Sequence, residues 1–158
     1  MDKREKTENL LILSFGANLG ERKKNIETAY GLIEKRIGKM IKKSSFFETE
    51  PWGFDSQNLF INSVAGFVTV KNPFDCLKEI NCIEALLGRE RLNEAGYSSR
   101  TMDIDIIFYN DLVIETKELI IPHPLMHKRN FVLEPLKEIY PQFIHPLLKK
   151  AISDIIVE

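Results

Sequence analysis

The sequence predicts an α+β fold with a largely antiparallel sheet. Short apolar or alternating runs typical of strands recur along the chain, and helix-spaced apolar residues lie between some of them. The two kinds of segment do not follow the regular strand-helix rhythm of a parallel sheet. With 158 residues, 44% of them hydrophobic and 28% charged, the chain suits one globular domain. We place that domain at residues 9–158, after a charged lead-in at residues 1–8.

The N-terminal half is predicted to contain three strands and a helix. Residues 9–15 form a nearly continuous apolar run, which predicts a central strand, and the glycine-bearing residues 16–20 predict a turn after it. Apolar residues at helical spacing then predict a helix over residues 26–37. Residues 41–50 and 59–70 are predicted as strands, because β-branched and aromatic residues are frequent in both.

The second helix has the clearest end signals. Asn72 is a typical N-cap, Pro73 suits the first helical position, Asp75 lies in the first turn and Gly88 follows the end. Beyond a polar segment we expect a strand carrying two aspartates, a hairpin over residues 111–121, and short helices over residues 131–139 and 147–156.

The predicted strand after residue 100 carries the most informative pattern, with Asp103 and Asp105 inside a run of β-branched and aromatic residues. Side chains alternate across a strand, so both carboxylates point to one face, while Ile104, Ile106 and Phe108 point to the other. Two carboxylates about 6 Å apart repel by roughly 3 kcal/mol at an effective dielectric of about 20, and a bound cation removes that cost. Oxygen ligands favour Mg²⁺ or Mn²⁺ together with substrate phosphates. The alternative is a sheet edge protected by acidic side chains.

Other residues could complete a phosphate and ring-binding site. Five basic side chains near the aspartates in sequence could bind phosphate oxygens: Arg89, Arg91, Arg100, His123 and Arg129. Each alone is more typical of a solvated surface, and their position around one Asp-x-Asp strand is what favours a site. Trp52, Phe60 and Asn62 offer aromatic faces and an amide for a flat heterocycle, although the two aromatics would also suit a hydrophobic core.

Composition excludes several classes of protein. A formal net charge of -1 argues against a chain built chiefly for nucleic acid. No segment approaches transmembrane length and no signal-peptide pattern is present, so we expect a cytoplasmic protein without membrane association. Cys76 and Cys82 lie six residues apart on one predicted helix, too far to form a disulfide, and we expect both to be reduced thiols.

Taken in order, these segments resemble 6-hydroxymethyl-7,8-dihydropterin pyrophosphokinases of folate biosynthesis. The resemblance covers residues 10–146, and its most specific parts are Gly88-Arg89-x-Arg91, Arg100-Thr101-Met102-Asp103-Ile104-Asp105-Ile106, and Pro122-His123-Pro124 followed by Arg129-Asn130-Phe131. It implies a ferredoxin-like α+β domain that transfers the β,γ-pyrophosphoryl group of ATP to the pterin hydroxymethyl oxygen and releases AMP.

The resemblance also implies roles for particular residues. Asp103 and Asp105 would hold two Mg²⁺ ions, and Arg89 and Arg100 would take part in catalysis. ATP would be contacted by Asn81, Glu84, Arg89, Arg91, Arg100, His123 and Arg129. The pterin pocket would be lined by Thr49, Trp52, Phe60, Asn62 and Phe131.

Two polar loops, residues 50–58 and 89–99, would act as lids over the substrates. At the end of the second loop, Tyr97-Ser98-Ser99-Arg100 stands before the Asp strand where the family usually has Trp-Gly-Pro-Arg. We expect a monomer whose partners are ATP and the pterin.

The residues alone do not exclude two other functions. An enzyme that keeps the Asp pair and the arginines but acts on another small alcohol or a nucleotide would, as an ordinary kinase, release ADP instead of AMP. An RNA-binding module would need exposed aromatics on adjacent strands and would not need a metal at Asp103.

Overall fold

In a computed structural model, the chain is described over residues 7–18, 21–49, 60–89 and 102–157, without the side chain of Arg89. The strands are β1 (Asn9–Ala17), β2 (Gly38–Lys43), β3 (Phe47–Thr49), β4 (Phe60–Thr69), β5 (Asp103–Tyr109), β6 (Ile114–Glu115) and β7 (Ile120–Ile121). The helices are α1 (Arg22–Arg36), α2 (Pro73–Glu84) and α3 (Asn130–Ile139). The α+β prediction is confirmed.

The main sheet has the strand order β2-β4-β1-β5, and β3 pairs with the other end of β4. Each strand pair is antiparallel, which agrees with the predicted class. The short strands β6 and β7 form the predicted hairpin as a separate two-stranded sheet. Since β1 lies between β4 and β5, residues from distant parts of the sequence meet along its length.

A hydrophobic cluster covers each face of the sheet. On one face, α1 and α2 pack through residues such as Ile26, Ile33 and Ile80 against alternate side chains of β1 and β4. On the other face, α3 and the C-terminal segment pack through Val132 and Leu136. The second cluster covers the sheet at the end away from Asp103, so space remains on this face beside the aspartates.

The helix over residues 73–84 begins as its sequence predicts. The side chain of Asn72 accepts a hydrogen bond from the Asp75 N–H at 2.9 Å, and Pro73 occupies the first turn. After Glu84 the chain makes one wider turn, and Gly88 adopts a left-handed φ of 104°. Local capping and turn chemistry therefore mark where this element begins and ends.

Three strand predictions were wrong in detail. The strand expected at residues 41–50 is interrupted, because residues 44–46 lie between β2 and β3 and the Ser44 hydroxyl accepts the Val64 N–H. β1 continues through Gly16 to Ala17, two residues that were expected in a turn, and residues 19 and 20 lie outside the described residues. Phe108 does not share a face with Ile104 and Ile106. A bulge in β5 places Ile12 opposite Phe108 and Leu13 opposite Ile106, so Phe108 joins the second cluster.

The predicted helix over residues 147–156 was also wrong. The chain instead makes a tight reversal, with Lys149 at a positive φ of 59° and an isolated bridge between Ile144 and Ala151. The ring of His145 stabilises this reversal, because its Nδ1 accepts the N–H groups of Leu147 and Leu148 at 3.1 and 3.0 Å. A single 3₁₀ turn, Ile152–Asp154, follows.

His145 predicts an acid-dependent loss of stability. The residue is only 3% exposed, and burial together with the nearby His127 lowers its pKa to about 4. Between pH 6.5 and about 4 the unfolded chain binds a proton that the folded chain does not. The free energy of unfolding should therefore decrease as pH falls through this window, by on the order of 1–2 kcal/mol after allowance for solvent screening.

Urea unfolding at a series of pH values measures this contribution. His145→Asn is the matched variant, since its side-chain oxygen can accept the same two N–H groups without titrating. The slope of stability against pH between 6.5 and 4 should be shallower in the variant. Equal slopes in the two proteins would show that His145 is not responsible.

Candidate active site

A cavity of about 220 Å³ opens between the sheet and α3. Its described walls come from the four strands β1, β3, β4 and β5 and from the start of α3. The lining residues are Ser14, Phe15, Gly16, Thr49, Phe60, Asn62, Asp103, Asp105, Arg129, Phe131 and Val132. The cavity therefore combines carboxylates, a cation, an amide and aromatic rings.

The pairing of β1 with β5 places the two aspartates at one end of this cavity. Asp103 lies opposite Gly16, and Asp105 lies opposite Ser14. Both aspartates are half-buried, whereas Ile104 between them is buried in the core under α2. The predicted alternation across β5 is confirmed at these three residues.

An amide and a hydroxyl form a defined polar pair on the other side of β1 from the aspartates. Asn62 is 4% exposed, and its Nδ2 donates to the Thr49 Oγ1 at 2.7 Å. This bond fixes the orientation of the amide, so its oxygen lies toward Gly16. A Cβ atom at Gly16 would lie 3.3 Å from that oxygen, so glycine keeps this part of the wall open.

Arg129 and Phe131 form the rim contributed by the start of α3. The Arg129 guanidinium lies 5.5 Å from the centre of the Phe131 ring. Such a contact orients the cation beside the ring. Phe131 and Phe60 are both half-buried lining residues, so aromatic surface is present on two sides of the cavity.

His123 lies next to this site but is not part of the described lining. Burial lowers the pKa of its ring, the charge of Asp105 raises it, and the charge of Arg129 lowers it further. The Nδ1 atom accepts the Leu125 N–H at 3.2 Å, so a neutral ring carries its proton on Nε2. The backbone at His123 is held against β5, because the carbonyl of Ile107, the residue at the bulge, accepts the His123 N–H at 3.1 Å.

Comparison with known proteins identifies the family. The family model for 7,8-dihydro-6-hydroxymethylpterin-pyrophosphokinase (HPPK) matches residues 12–141. The chain belongs to the HPPK family. The HPPK family comprises ATP-dependent pyrophosphokinases of folate synthesis that use a divalent metal, so this chain is an enzyme of that class. The predicted family and activity are confirmed.

Individual HPPK relatives support the same assignment. A 2-amino-4-hydroxy-6-hydroxymethyldihydropteridine pyrophosphokinase of Porphyromonas gingivalis is 37% identical over 139 residues, which cover 87% of this chain and 94% of the relative. The enzyme of that name from Bacillus subtilis is 39% identical over 135 residues, covering 85% of this chain and 80% of the relative. The Folic acid synthesis protein FOL1 of Dictyostelium discoideum is 43% identical over 141 residues, covering 89% of this chain but only 21% of that protein.

Solved structures support the HPPK fold. The wild-type HPPK-DHPS of Plasmodium falciparum superposes with a TM-score of 0.78 at 19% identity, covering 97% of this chain and 45% of that chain. The chain therefore spans less than half of that protein. This likeness confirms the predicted ferredoxin-like arrangement of sheet and helices.

The structure brings together only some of the residues that sequence reasoning assigned to the site. Those that line the cavity are Thr49, Phe60, Asn62, Asp103, Asp105, Arg129 and Phe131. Asn81 is exposed on α2, and Glu84 is buried against β5, so neither belongs to the described lining. Trp52, Arg91, Arg100 and the side chain of Arg89 lie outside the described residues, as do both predicted lids except the backbone of residue 89.

Sequence reasoning missed part of the cavity wall. Ser14 and Gly16 line the site on β1, and Val132 lines it on α3. Ser14 and Gly16 are two residues apart in an otherwise apolar strand, a spacing that places them on one face. A serine and a glycine at this spacing could have indicated residues that line the site. Only the register of β1 with β5 shows that they lie opposite the aspartates.

The described residues form no group of three or more potential metal ligands among His, Cys, Asp and Glu side chains. Two carboxylates are nevertheless enough for magnesium, which usually keeps several waters and binds substrate phosphates as well. The half-buried oxygen donors of Asp103 and Asp105 fit that requirement.

Among the described helices, none is both long and apolar enough to cross a membrane.

Proposed function

We propose that this cavity catalyses transfer of the β,γ-pyrophosphoryl group of ATP to the hydroxymethyl group of 6-hydroxymethyl-7,8-dihydropterin. One observation carries the proposal. The aspartate pair, the fixed Asn62 amide and the aromatic side chains open into a single cavity, as phosphate transfer to a ring-bearing alcohol requires.

The pterin is proposed to lie between Phe60 and Phe131 with its polar edge toward Asn62. Aromatic rings stack favourably on a flat heterocycle, and a buried amide distinguishes that heterocycle by its hydrogen bonds. The Asn62 oxygen can accept a hydrogen bond from the pterin, and the bond from Nδ2 to Thr49 holds the amide in the orientation that presents this oxygen. Trp52 would complete this pocket, as the family resemblance implies.

The reaction is proposed as an in-line displacement at the β-phosphorus. The pterin oxygen bonds to that phosphorus, the bond to the oxygen bridging the α-phosphorus breaks, and AMP leaves as the hydroxyl proton is released. Asp103 and Asp105 would hold two Mg²⁺ ions, which when bound neutralise phosphate charge and favour ionisation of the hydroxyl. The residues otherwise act by positioning substrates and balancing charge, as in phosphoryl transfer generally.

Arg129 and His123 are proposed to bind the phosphates from the side of α3. Arg129 lines the cavity, and the Nε2 proton of neutral His123 is a suitable donor to a phosphate oxygen. Arg89, Arg91, Arg100 and Asn81 are proposed to contact ATP on the basis of the family resemblance alone, with Arg89 and Arg100 contributing to catalysis.

We further propose that the enzyme acts as a cytoplasmic monomer on small molecules, without nucleic acid or membrane partners. Its net charge of -1 supports this view. The alternative of an RNA-binding module needs an exposed sheet surface with aromatics on adjacent strands. In the described structure, hydrophobic clusters cover one face of the sheet and part of the other, and the uncovered part opens into the cavity that holds the aspartates, which favours the enzyme instead.

Resolution of the nucleotide products tests the reaction. Purified protein is incubated with ATP, Mg²⁺ and the pterin, and a parallel reaction omits the pterin. We expect AMP that depends on the pterin and no ADP. ADP formation would show ordinary kinase chemistry, and an absence of AMP from folded protein would reject the proposal.

Substitutions in the polar pair test the pterin subsite. Asn62→Leu should raise the KM for the pterin by about 10- to 100-fold, because leaving a buried hydrogen-bonding group without its partner costs on the order of 1–3 kcal/mol. Thr49→Val should raise it less, since the amide remains but loses the acceptor that fixes it. The KM for ATP serves as the control and should stay within about threefold. An unchanged pterin KM in both variants would remove this pair from the subsite.

A further inference from the structure

A buried carboxylate on α2 contacts the backbone between the two aspartates. Glu84, the last residue of α2, is only 6% exposed, and its Oε2 accepts the Ile104 N–H at 2.9 Å. Burying a carboxylate is costly unless it is hydrogen-bonded, and α2 otherwise packs through apolar residues such as Ile80 and Ile83. Helix packing alone therefore does not explain why a carboxylate is buried at Glu84.

The position of β5 in the sheet explains why this contact matters. In the described structure, β5 ends the strand order of the main sheet, so alternate N–H groups on its outer side face no further strand. Glu84 supplies the missing acceptor at Ile104. On the inner side, β1 pairs Gly16 with Asp103 and Ser14 with Asp105. The short segment that carries both carboxylates is thus held from two sides.

We propose that Glu84 is a positioning residue for the cation site, acting on the spacing of Asp103 and Asp105 through the Ile104 N–H. This inference rests on the proposed binding of divalent cations by those aspartates. It gives Glu84 an indirect role, in place of the direct ATP contact that the family resemblance implies. Removal of groups that orient metal ligands typically weakens metal affinity by about 10- to 100-fold.

A set of three substitutions separates the hydrogen bond from the charge. Glu84→Leu removes the acceptor, Glu84→Gln keeps an acceptor oxygen without the charge, and Glu84→Asp keeps the charge but shortens the reach. Glu79→Leu is the matched control, because Glu79 lies on the same helix and pairs with Arg36 at 3.2 Å on the surface.

The main readout is Mn²⁺ binding in the presence of α,β-methylene-ATP, followed by electron paramagnetic resonance. Glu84→Leu should weaken Mn²⁺ affinity by about 10- to 100-fold, and Glu84→Asp should weaken it by a smaller factor. Glu84→Gln and Glu79→Leu should stay within about threefold of the wild type. Amide exchange at Ile104 should accelerate in Glu84→Leu and stay slow in Glu84→Gln.

Two outcomes would overturn the role of Glu84. One is wild-type Mn²⁺ affinity in the Leu variant, or in the Asp variant if the Leu variant does not fold. The other is an equal loss in the Gln and Leu variants, which would assign the effect to charge. Asp103→Asn is the reference: if it leaves Mn²⁺ affinity unchanged, the cation site itself is wrong, and the inference about Glu84 fails with it.

Discussion

Replacing Asp103 or Asp105 by asparagine is expected to lower kcat by about a thousandfold or more while the protein stays folded. Asparagine has nearly the same shape but lacks the charge that holds cations against the ATP phosphates. Both aspartates are half-buried at the cavity and neither belongs to the two hydrophobic clusters, so the substitution leaves the packing of those clusters unchanged. Asp103→Ala and Asp105→Ala should also abolish turnover.

The measurement is pterin-dependent AMP release at saturating ATP and Mg²⁺, together with the circular dichroism spectrum and thermal midpoint of each variant. Asp111→Asn is the control, because Asp111 lies in the exposed turn after β5. Its activity should match the wild type. Near-normal turnover in either cavity variant would refute a metal role for that aspartate.

Replacing Gly38 by alanine is expected to destabilise the fold by about 3 kcal/mol. A Cβ atom at this position would lie 1.9 Å from the Val68 carbonyl oxygen. That oxygen belongs to the backbone of β4, and Gly38 itself pairs with Thr69 where β2 begins. The clash can be relieved only by moving β2 away from β4, so the first pairs of this ladder should be lost.

Thermal and urea unfolding measure the effect, and the midpoint temperature should fall by roughly 6–12 °C. Gly31→Ala is the matched control. Gly31 lies within α1, and an added Cβ atom would meet nothing within 4 Å. Because alanine favours a helix over glycine, this variant should be more stable by about 0.5–1 kcal/mol. A Gly38→Ala protein as stable as the wild type would show that β2 adapts without losing its pairing.

Elements with local signals could be predicted from the sequence. The cap at Asn72 and the left-handed Gly88 mark both ends of the segment around α2, and both depend on backbone groups a few residues away. The prediction of a helix over residues 147–156 was wrong for the opposite reason. Its residues favour a helix locally, but the buried His145 ring accepts two N–H groups there and the chain reverses at Lys149.

The sequence by itself determined the fold class, the family and the shared face of Asp103 and Asp105, because alternation along a strand is a local geometric property. Only the tertiary structure decided what faces that pair. The register of β1 with β5 brings Ser14 and Gly16 opposite the aspartates, and the hydrogen bond from Ile104 to Glu84 holds the strand from its outer edge. The bulge at Ile107 turns Phe108 to the other face. These contacts join residues far apart in sequence, and no local preference specifies which partners will meet across a sheet.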